Sequence, residues 1–256
     1  MRLNKFISHH SKYSRREADA LIAQGRVNIE KKKATPTSIL KEDQRVFIDG
    51  KQLRPKKDDH FTLIIYHKPK GELVSKKDDR GRKTIYHSLS SQFSHFLPVG
   101  RLDYASEGLL ILSDSKEVVS KLMQSNLERV YLLKLNGSIT QKMQEAMENG
   151  LELEDARAGA HTHSTITSMN FSPFADFTII KNSRNYSKIK VSITEGKNRE
   201  LRRFFAHFGR EVLDLRRISY GFASLNALPC GKTRFFSKEE YKALHQFLTK
   251  DHNGLS

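Results

Sequence analysis

The sequence predicts an α+β chain in two parts: a small N-terminal helix-helix-strand unit, then a larger mixed domain with a mostly antiparallel sheet. Three observations carry that prediction. The first sixty residues change from helical spacing to short β-like runs; many short apolar runs punctuated by Gly and Pro follow, with few amphipathic helices between them; and "RPKKDDH", residues 54–60, has the composition of a linker. The expected domains are residues 1–55 and 61–256, and a chain of 256 residues can bury a sizeable core.

In the first unit, Leu3, Phe6 and Ile7 of "LNKFI" recur at helical spacing. A second helix opens at Ser14 with Glu17 three residues on, a capping-box pattern, and closes at Gly25. The runs "RVNIE" and "RVFIDG" read as strands around a lysine-rich loop. His9 and His10 are expected between the two helices. In the second unit, "FTLIIYHKPKG" is a strand that stops at a Pro/Gly turn, and "EGLLILSD" is a buried strand. Then come a helix "KEVVSKLMQ", a strand "RVYLLKLNG" and a helix capped by Thr140. "LELEDARAGAHTHSTITSM", "DFTII" and "KIKVSITEG" have strand character. "NRELRRFFAHFG" is a helix ending at Gly209, "EVLDLRRISYG" a strand, and "SKEEYKALHQFL" a final capped helix.

Charge narrows the partner. The balance of 45 Lys and Arg against 29 Asp and Glu, formally +16, is the footprint of a chain that meets phosphate backbones. Residues 1–60 hold 15 basic and 8 acidic side chains, and residues 181–218 hold 11 and 4. No wide apolar helix face, no signal-like apolar run and no membrane-length segment is present, so the expectation is a soluble, cytoplasmic monomer without membrane contact. Cys230 is the single cysteine, which excludes an internal disulfide and a cysteine-based zinc site. His161 and His163 have a spacing compatible with metal, but no third ligand accompanies them, and no metal site is expected.

Three stretches can carry chemistry. In "PVGRLDYASEGLLILSD", Asp103 follows Pro98 and Gly100 and precedes Gly108; an Asp there is ordinarily a turn residue, yet a tight loop on a buried strand is also where reactive groups are displayed. In "EGKNRELRRFFAHFGREVLDLRR", Leu201, Phe204, Phe205 and Phe208 pack inward while Arg199, Arg202 and Arg203 spread over the remainder. Arg202, flanked by apolar neighbours, is placed to reach a partly buried carboxylate. In "ERVYLLKL", alternation puts Tyr131, Leu133 and Leu135 on one face and Val130, Leu132 and Lys134 on the other.

Together with "YHKPKG", these stretches in this order resemble the motifs of the RsuA/RluB/RluE/RluF pseudouridine synthases. The N-terminal "RLNKFISHHSKYSRREADALIAQGRVNIE" resembles the RNA-binding domain shared with ribosomal small-subunit protein S4. The resemblance implies a pseudouridine synthase domain behind an S4-like clip. It implies Asp103 as nucleophile, Tyr131 as the base-stacking and proton-handling group, and Arg202 as the ion-pair partner of Asp103. Arg101 would hold the target nucleotide out of its helix, and Leu201 would line the uracil pocket. Arg199 and Arg203, with Lys5, Arg15 and Arg16 of the clip, would contact RNA. The partner is ribosomal RNA, as a stem-loop or within an assembling ribosome, with large-subunit 23S rRNA favoured over 16S. The implied isomerisation is redox-neutral and requires no cofactor. The clip loop "KKKATPTSILKED" is more lysine-rich than the family's usual turn, and "RVY" replaces a more polar lead-in.

Two other classes stay in view. A non-catalytic RNA-binding or ribosome-assembly protein would explain the charge and the clip, but not Asp103, Tyr131 and Arg202 together. A retaining glycosidase would need a second carboxylate roughly 5 Å from the first; Glu107 is the near acid in sequence.

Overall fold

A computed structural model describes residues 1–41, 43–54, 61–160 and 164–250, and the chain divides into two compact units, Met1–Phe61 and Thr62–Ser256. Most of the linker read at 54–60, and both His161 and His163, lie outside the described residues.

The first unit contains α1 (Leu3–His10), α2 (Arg15–Ala23), β1 (Val27–Ile29), β2 (Lys32–Lys33), β3 (Val46–Ile48) and β4 (Lys51–Leu53). Its antiparallel sheet runs in the order β2-β1-β3-β4, two strands more than the sequence pattern predicts. The extra pair, "KK" and "KQL", is too short and polar to signal itself. Ser14 Oγ accepts from Glu17 N at 3.2 Å while Glu17 Oε2 accepts from Ser14 N at 2.6 Å, a complete capping box. Leu3, Phe6 and Ile7 pack with Ala18, Leu21 and Ile22. His9 and His10 are the last turn of α1 rather than a link between helices, because the helix continues to their C-cap at Ser11.

The second unit contains β5 (Leu63–Lys68), β6 (Leu97–Pro98), β7 (Glu107–Ser113), α3 (Lys116–Gln124), β8 (Arg129–Asn136), α4 (Gln141–Asn149), β9 (Leu151–Leu153), β10 (Met169–Phe171), β11 (Asp176–Asn182), β12 (Tyr186–Ile193), α5 (Glu200–His207), β13 (Val212–Tyr220), β14 (Ala223–Ser224), β15 (Thr233–Phe235) and α6 (Lys238–Lys250). The main sheet runs β11-β12-β8-β13-β7-β5-β15, with β6 added to β7 and β14 to β13. Its pairings are antiparallel except β13 with β7, so the architecture is α+β.

Side-chain alternation on β8 is as the sequence reads: Tyr131, Leu133 and Leu135 are buried, and Val130, Leu132 and Lys134 half-buried. The buried set packs with Leu201, Phe204 and Phe205 of α5 and with Met143 and Met147 of α4 in one core. Leu109 to Leu112 of β7 are fully buried, each contributing about 2 kcal/mol as an upper estimate. The long strand-like reading over 151–169 is corrected. Among the described residues strands occupy only its ends, β9 and β10, because Gly159 (φ +71°) and polar residues such as Asp155 and Arg157 interrupt the run. β15 had no sequence signal; three residues become a strand by pairing along the edge of β5. Among the described residues, no helix is long and apolar enough to cross a membrane.

Candidate active site

Asp103 stands in the loop between β6 and β7, and three contacts hold that loop. Ser106 N donates to Asp103 O at 3.0 Å, closing a turn, and Gly71 N donates to Tyr104 O at 2.7 Å. Beneath it, the fully buried Lys68 at the end of β5 donates from Nζ to Ser106 O at 2.8 Å, Pro69 O at 2.8 Å and Asp103 O at 3.2 Å. Burial lowers the Lys68 ammonium to about 8, opposed by Glu72 and Asp103.

The loop ends at Gly108, whose φ of +114° is closed to ordinary side chains. A Cβ there would lie 2.2 Å from the Arg217 carbonyl oxygen. Glycine lets β7 run against β13 in the parallel pairing Arg217↔Gly108. That pairing brings the Asp103 loop beside the strand that follows α5.

From α5 come two guanidinium groups. Arg199, its N-cap, is left-handed (φ 51°, ψ 32°); it donates from Nε to Gly159 O at 2.7 Å and from Nη1 to Asp103 Oδ2 at 3.3 Å. Arg202 donates to Val212 O at 2.8 Å, Ser106 Oγ at 3.2 Å and Ala105 O at 3.3 Å, and its Nε lies 3.7 Å from Asp103 Oδ2. Arg202 therefore ties the Asp103 loop to β13 as well as facing the carboxylate. Burial, then the charge of Arg199, pulls its guanidinium below the ordinary value.

These groups border a cavity of about 520 Å³ that Arg101, Asp103, Tyr131, Arg199, Leu201 and Arg202 all line. That volume suits a single nucleoside-sized ligand. Tyr131 and Leu201 are buried, and Arg101 is exposed at the rim. Six of the sequence candidates thus meet in one place.

Others do not. Arg203 is fully buried instead of spreading over the helix surface. It is consumed by Ala156 O, Ile166 O at 3.2 Å, Ser164 Oγ at 2.7 Å and the Asn198 carbonyl at 3.1 Å. It ties to Ala156, Ser164 and Ile166 and is withdrawn from RNA contact, because these acceptors and Asn198 take its donors. Glu107 pairs with Arg216 and does not line this cavity. Lys5, Arg15 and Arg16 belong to the first unit, with Arg15 and Arg16 exposed at the start of α2.

Residues of the same cavity that sequence reasoning missed include Ser106, Arg129, Glu200 and Arg217. Arg129 and Arg217 are buried cations 4.6 and 5.4 Å from the centre of the Tyr220 ring, inside segments that read only as strand. Glu200 is buried, and burial, with Glu195 adding, raises its carboxyl to about 6 against the opposing Lys197 N–H. Among the described residues, no group of three or more His, Cys, Asp or Glu could hold a metal ion.

Comparison with known proteins gives the family. Residues 62–207 match the family model for RNA pseudouridylate synthase, and residues 1–46 match the S4 domain. A Helicobacter pylori protein described as an uncharacterized RNA pseudouridine synthase is 54% identical over 99% of this chain and 97% of its own. The ribosomal large subunit pseudouridine synthase B of Bacillus subtilis is 30% identical over 95% of each. The dual-specificity RNA pseudouridine synthase RluF of Escherichia coli is 31% identical over 94% of this chain and 77% of its own. A crystal structure of a pseudouridylate synthase, 22% identical, shares the fold with a TM-score of 0.64 over 95% of this chain and 99% of that one. The chain belongs to the RNA pseudouridylate synthase family, as an S4-bearing member of the RsuA, RluB and RluF type, and is an isomerase acting on RNA.

Proposed function

We propose that the chain converts one uridine of ribosomal RNA, in the large subunit by preference, to pseudouridine with Asp103 as nucleophile. The observation that carries the reading is Asp103 itself: a carboxylate at a nucleoside-sized cavity, facing Arg199 at 3.3 Å and Arg202 at 3.7 Å. Two guanidinium groups thus set positive charge beside the carboxylate. What supports the large-subunit target is the name of the Bacillus subtilis relative.

In this mechanism the uridine leaves its stem-loop for the cavity, at a cost of a few kcal/mol for unstacking. Arg101 at the rim takes the space it leaves. Stacking on Tyr131 returns roughly 1–3 kcal/mol. The Asp103 carboxylate attacks the anomeric carbon, and the ribose bond to ring nitrogen breaks. The uracil turns against Leu201 and rejoins through carbon 5, displacing Asp103. The Tyr131 hydroxyl relays the proton that carbon 5 gives up to the ring nitrogen freed from ribose. Atoms and electrons balance without a cofactor. The first unit, with Lys5, Arg15 and Arg16, grips the RNA backbone.

Carbodiimide-dependent primer-extension stops on rRNA from a deletion strain test the reading. One stop should vanish, return with the wild-type gene and stay absent with Asp103→Asn, whose protein still binds rRNA. An unchanged stop pattern in the deletion strain overturns the ribosomal target. Restoration by Asp103→Asn overturns the nucleophile.

A further inference from the structure

The central sheet has a second face. On β8, Leu132 and Lys134 alternate with the cavity-side Tyr131 and Leu133, and the strand register carries their face sideways. One row runs Asp214, Lys134, Lys188, Lys181 across β13, β8, β12 and β11; the next runs Arg216, Leu132, Lys190, Thr178. Lys181, Lys188, Lys190 and Arg216 are exposed. Lys70, Lys134, Lys188 and Arg216 border a shallow groove over Leu132, with Ile180, 58% exposed, beside it.

Like charges directly opposite one another on neighbouring strands destabilise the pairing. Here three lysines share one row, across roughly 10 Å of sheet. The nearby acids do not offset them: Asp214 pairs with Lys70, Glu107 with Arg216, and Asp176 lies at the far end of β11 opposite Ser192. Among the described residues, no carboxylate forms an ion pair with Lys134, Lys181, Lys188 or Lys190. Lys134 and Lys181 instead hold their ammonium groups 5.0 and 4.4 Å from the centre of the Tyr186 ring.

Lysines on an edge strand block sheet-to-sheet pairing, which accounts for Lys181 on β11. Lys134 and Lys188 stand on interior strands, where that purpose does not apply. Lys134 and Lys188 in the groove, with Lys181 and Lys190 beside it, form a row of cations without carboxylate partners that complements a row of phosphates.

We propose that this face binds the phosphate backbone of an RNA segment lying outside the active cavity, so that the enzyme grips its substrate on both sides of the sheet. The proposal rests on RNA being the substrate and is independent of Asp103. Contact with RNA here adds affinity and leaves the chemistry on the opposite face untouched.

Filter binding of protein-free large-subunit rRNA, measured against KCl concentration on the full chain, tests it. Lys188→Gln with Lys190→Gln should weaken binding roughly tenfold at low salt and reduce the salt slope by about 2, since each lost phosphate contact removes about 1. Lys188→Arg with Lys190→Arg should keep both affinity and slope. The charge-matched pair Lys142→Gln with Lys242→Gln, exposed on α4 and α6, should stay near wild type. If the two glutamine pairs behave alike, or if the face serves an acidic protein and RNA binding is unmoved, the proposal falls. Loss of activity with Asp103→Asn, or its survival, bears only on the nucleophile.

Discussion

Arg199 reaches Asp103 from a left-handed backbone, donating from Nη1 to Oδ2 at 3.3 Å with φ at 51°. A non-glycine residue in that region costs about 1–2 kcal/mol, a strain that persists where the surroundings over-determine it. Here the Gly159 carbonyl, 2.7 Å from Nε, fixes the guanidinium plane. Gly159 is itself required, because a Cβ there would sit 2.4 Å from the Arg202 carbonyl oxygen.

The two arginines facing Asp103 should therefore fail differently. Arg199→Gln removes its bonds to Asp103 Oδ2 and Gly159 O, and should lower kcat about 10- to 100-fold with a smaller fall in melting temperature than Arg202→Gln. Arg202→Gln leaves Val212 O, Ala105 O and Ser106 Oγ without a donor, and should cost about 1–3 kcal/mol of stability as well as activity. Thermal denaturation beside single-turnover kinetics separates them. Equal stability losses would show that both act only as scaffold.

Much of this arrangement was legible in the sequence, for identifiable reasons. Tyr131 and Leu201 were readable because a strand's period of two and a helix's apolar stripe assign each a face, and Asp103 because Pro98, Gly100 and Gly108 bracket it in a tight loop on a buried strand. Arg199 and Arg203 were not separable by spacing: Arg199, in a left-handed N-cap, reaches Asp103, while Arg203 donates to the Ala156 and Ile166 carbonyls. Backbone geometry of that kind leaves no mark in residue spacing. Lys68 was hidden for the opposite reason: in "YHKPKG" it looks like one more surface lysine, and only the fold shows it buried under a loop 35 residues away.

Lys68→Met should leave the Asp103 and Ser106 carbonyls untethered. Lower kcat with nearly unchanged RNA affinity is expected, because the loop carrying Asp103 loosens while the cavity walls stay. The pH dependence has a definite sign. The folded ammonium titrates near 8 and the unfolded one near 10.5, so the unfolded state holds more protons between those values. Wild-type stability relative to Lys68→Met should rise as pH climbs from about 8 to 10.5. A flat difference in denaturant midpoint across that window would show that the lysine is not buried as a cation.

Gly108→Ala tests the parallel seam. Its Cβ would meet the Arg217 backbone at 2.2, 2.6 and 2.9 Å, with φ at +114° as a second penalty. Backbone cannot swing aside as a side-chain tip can, so the loss should exceed about 2 kcal/mol, with activity falling further as the Asp103 loop shifts. Gly100→Ala, also at positive φ but with open space around it, is the control and should cost only about 1–2 kcal/mol. Urea midpoints that rank the two the other way would show that β7 and β13 are not closely paired there.

Glu200 is a second carboxyl at the Asp103 cavity, which makes its protonation worth measuring. Its folded value near 6 lies above the ordinary 4.5, so between those values the folded state holds the extra proton and stability falls as pH rises. Glu200→Gln keeps an oxygen to accept from Lys197 N, 3.0 Å away in the wild type, and has nothing to titrate. The wild type should therefore lose about 1 kcal/mol relative to Glu200→Gln as pH goes from 4.5 to 6, and about 2 kcal/mol over the full titration, read as diverging unfolding midpoints. The hydrogen-bonded partner of Asp103 is Arg199 rather than this acid, so pseudouridine formation by Glu200→Gln should stay within about threefold of wild type. A loss in the 10²- to 10⁴-fold range typical of general acid–base groups would instead move the proton-handling role from Tyr131 to Glu200.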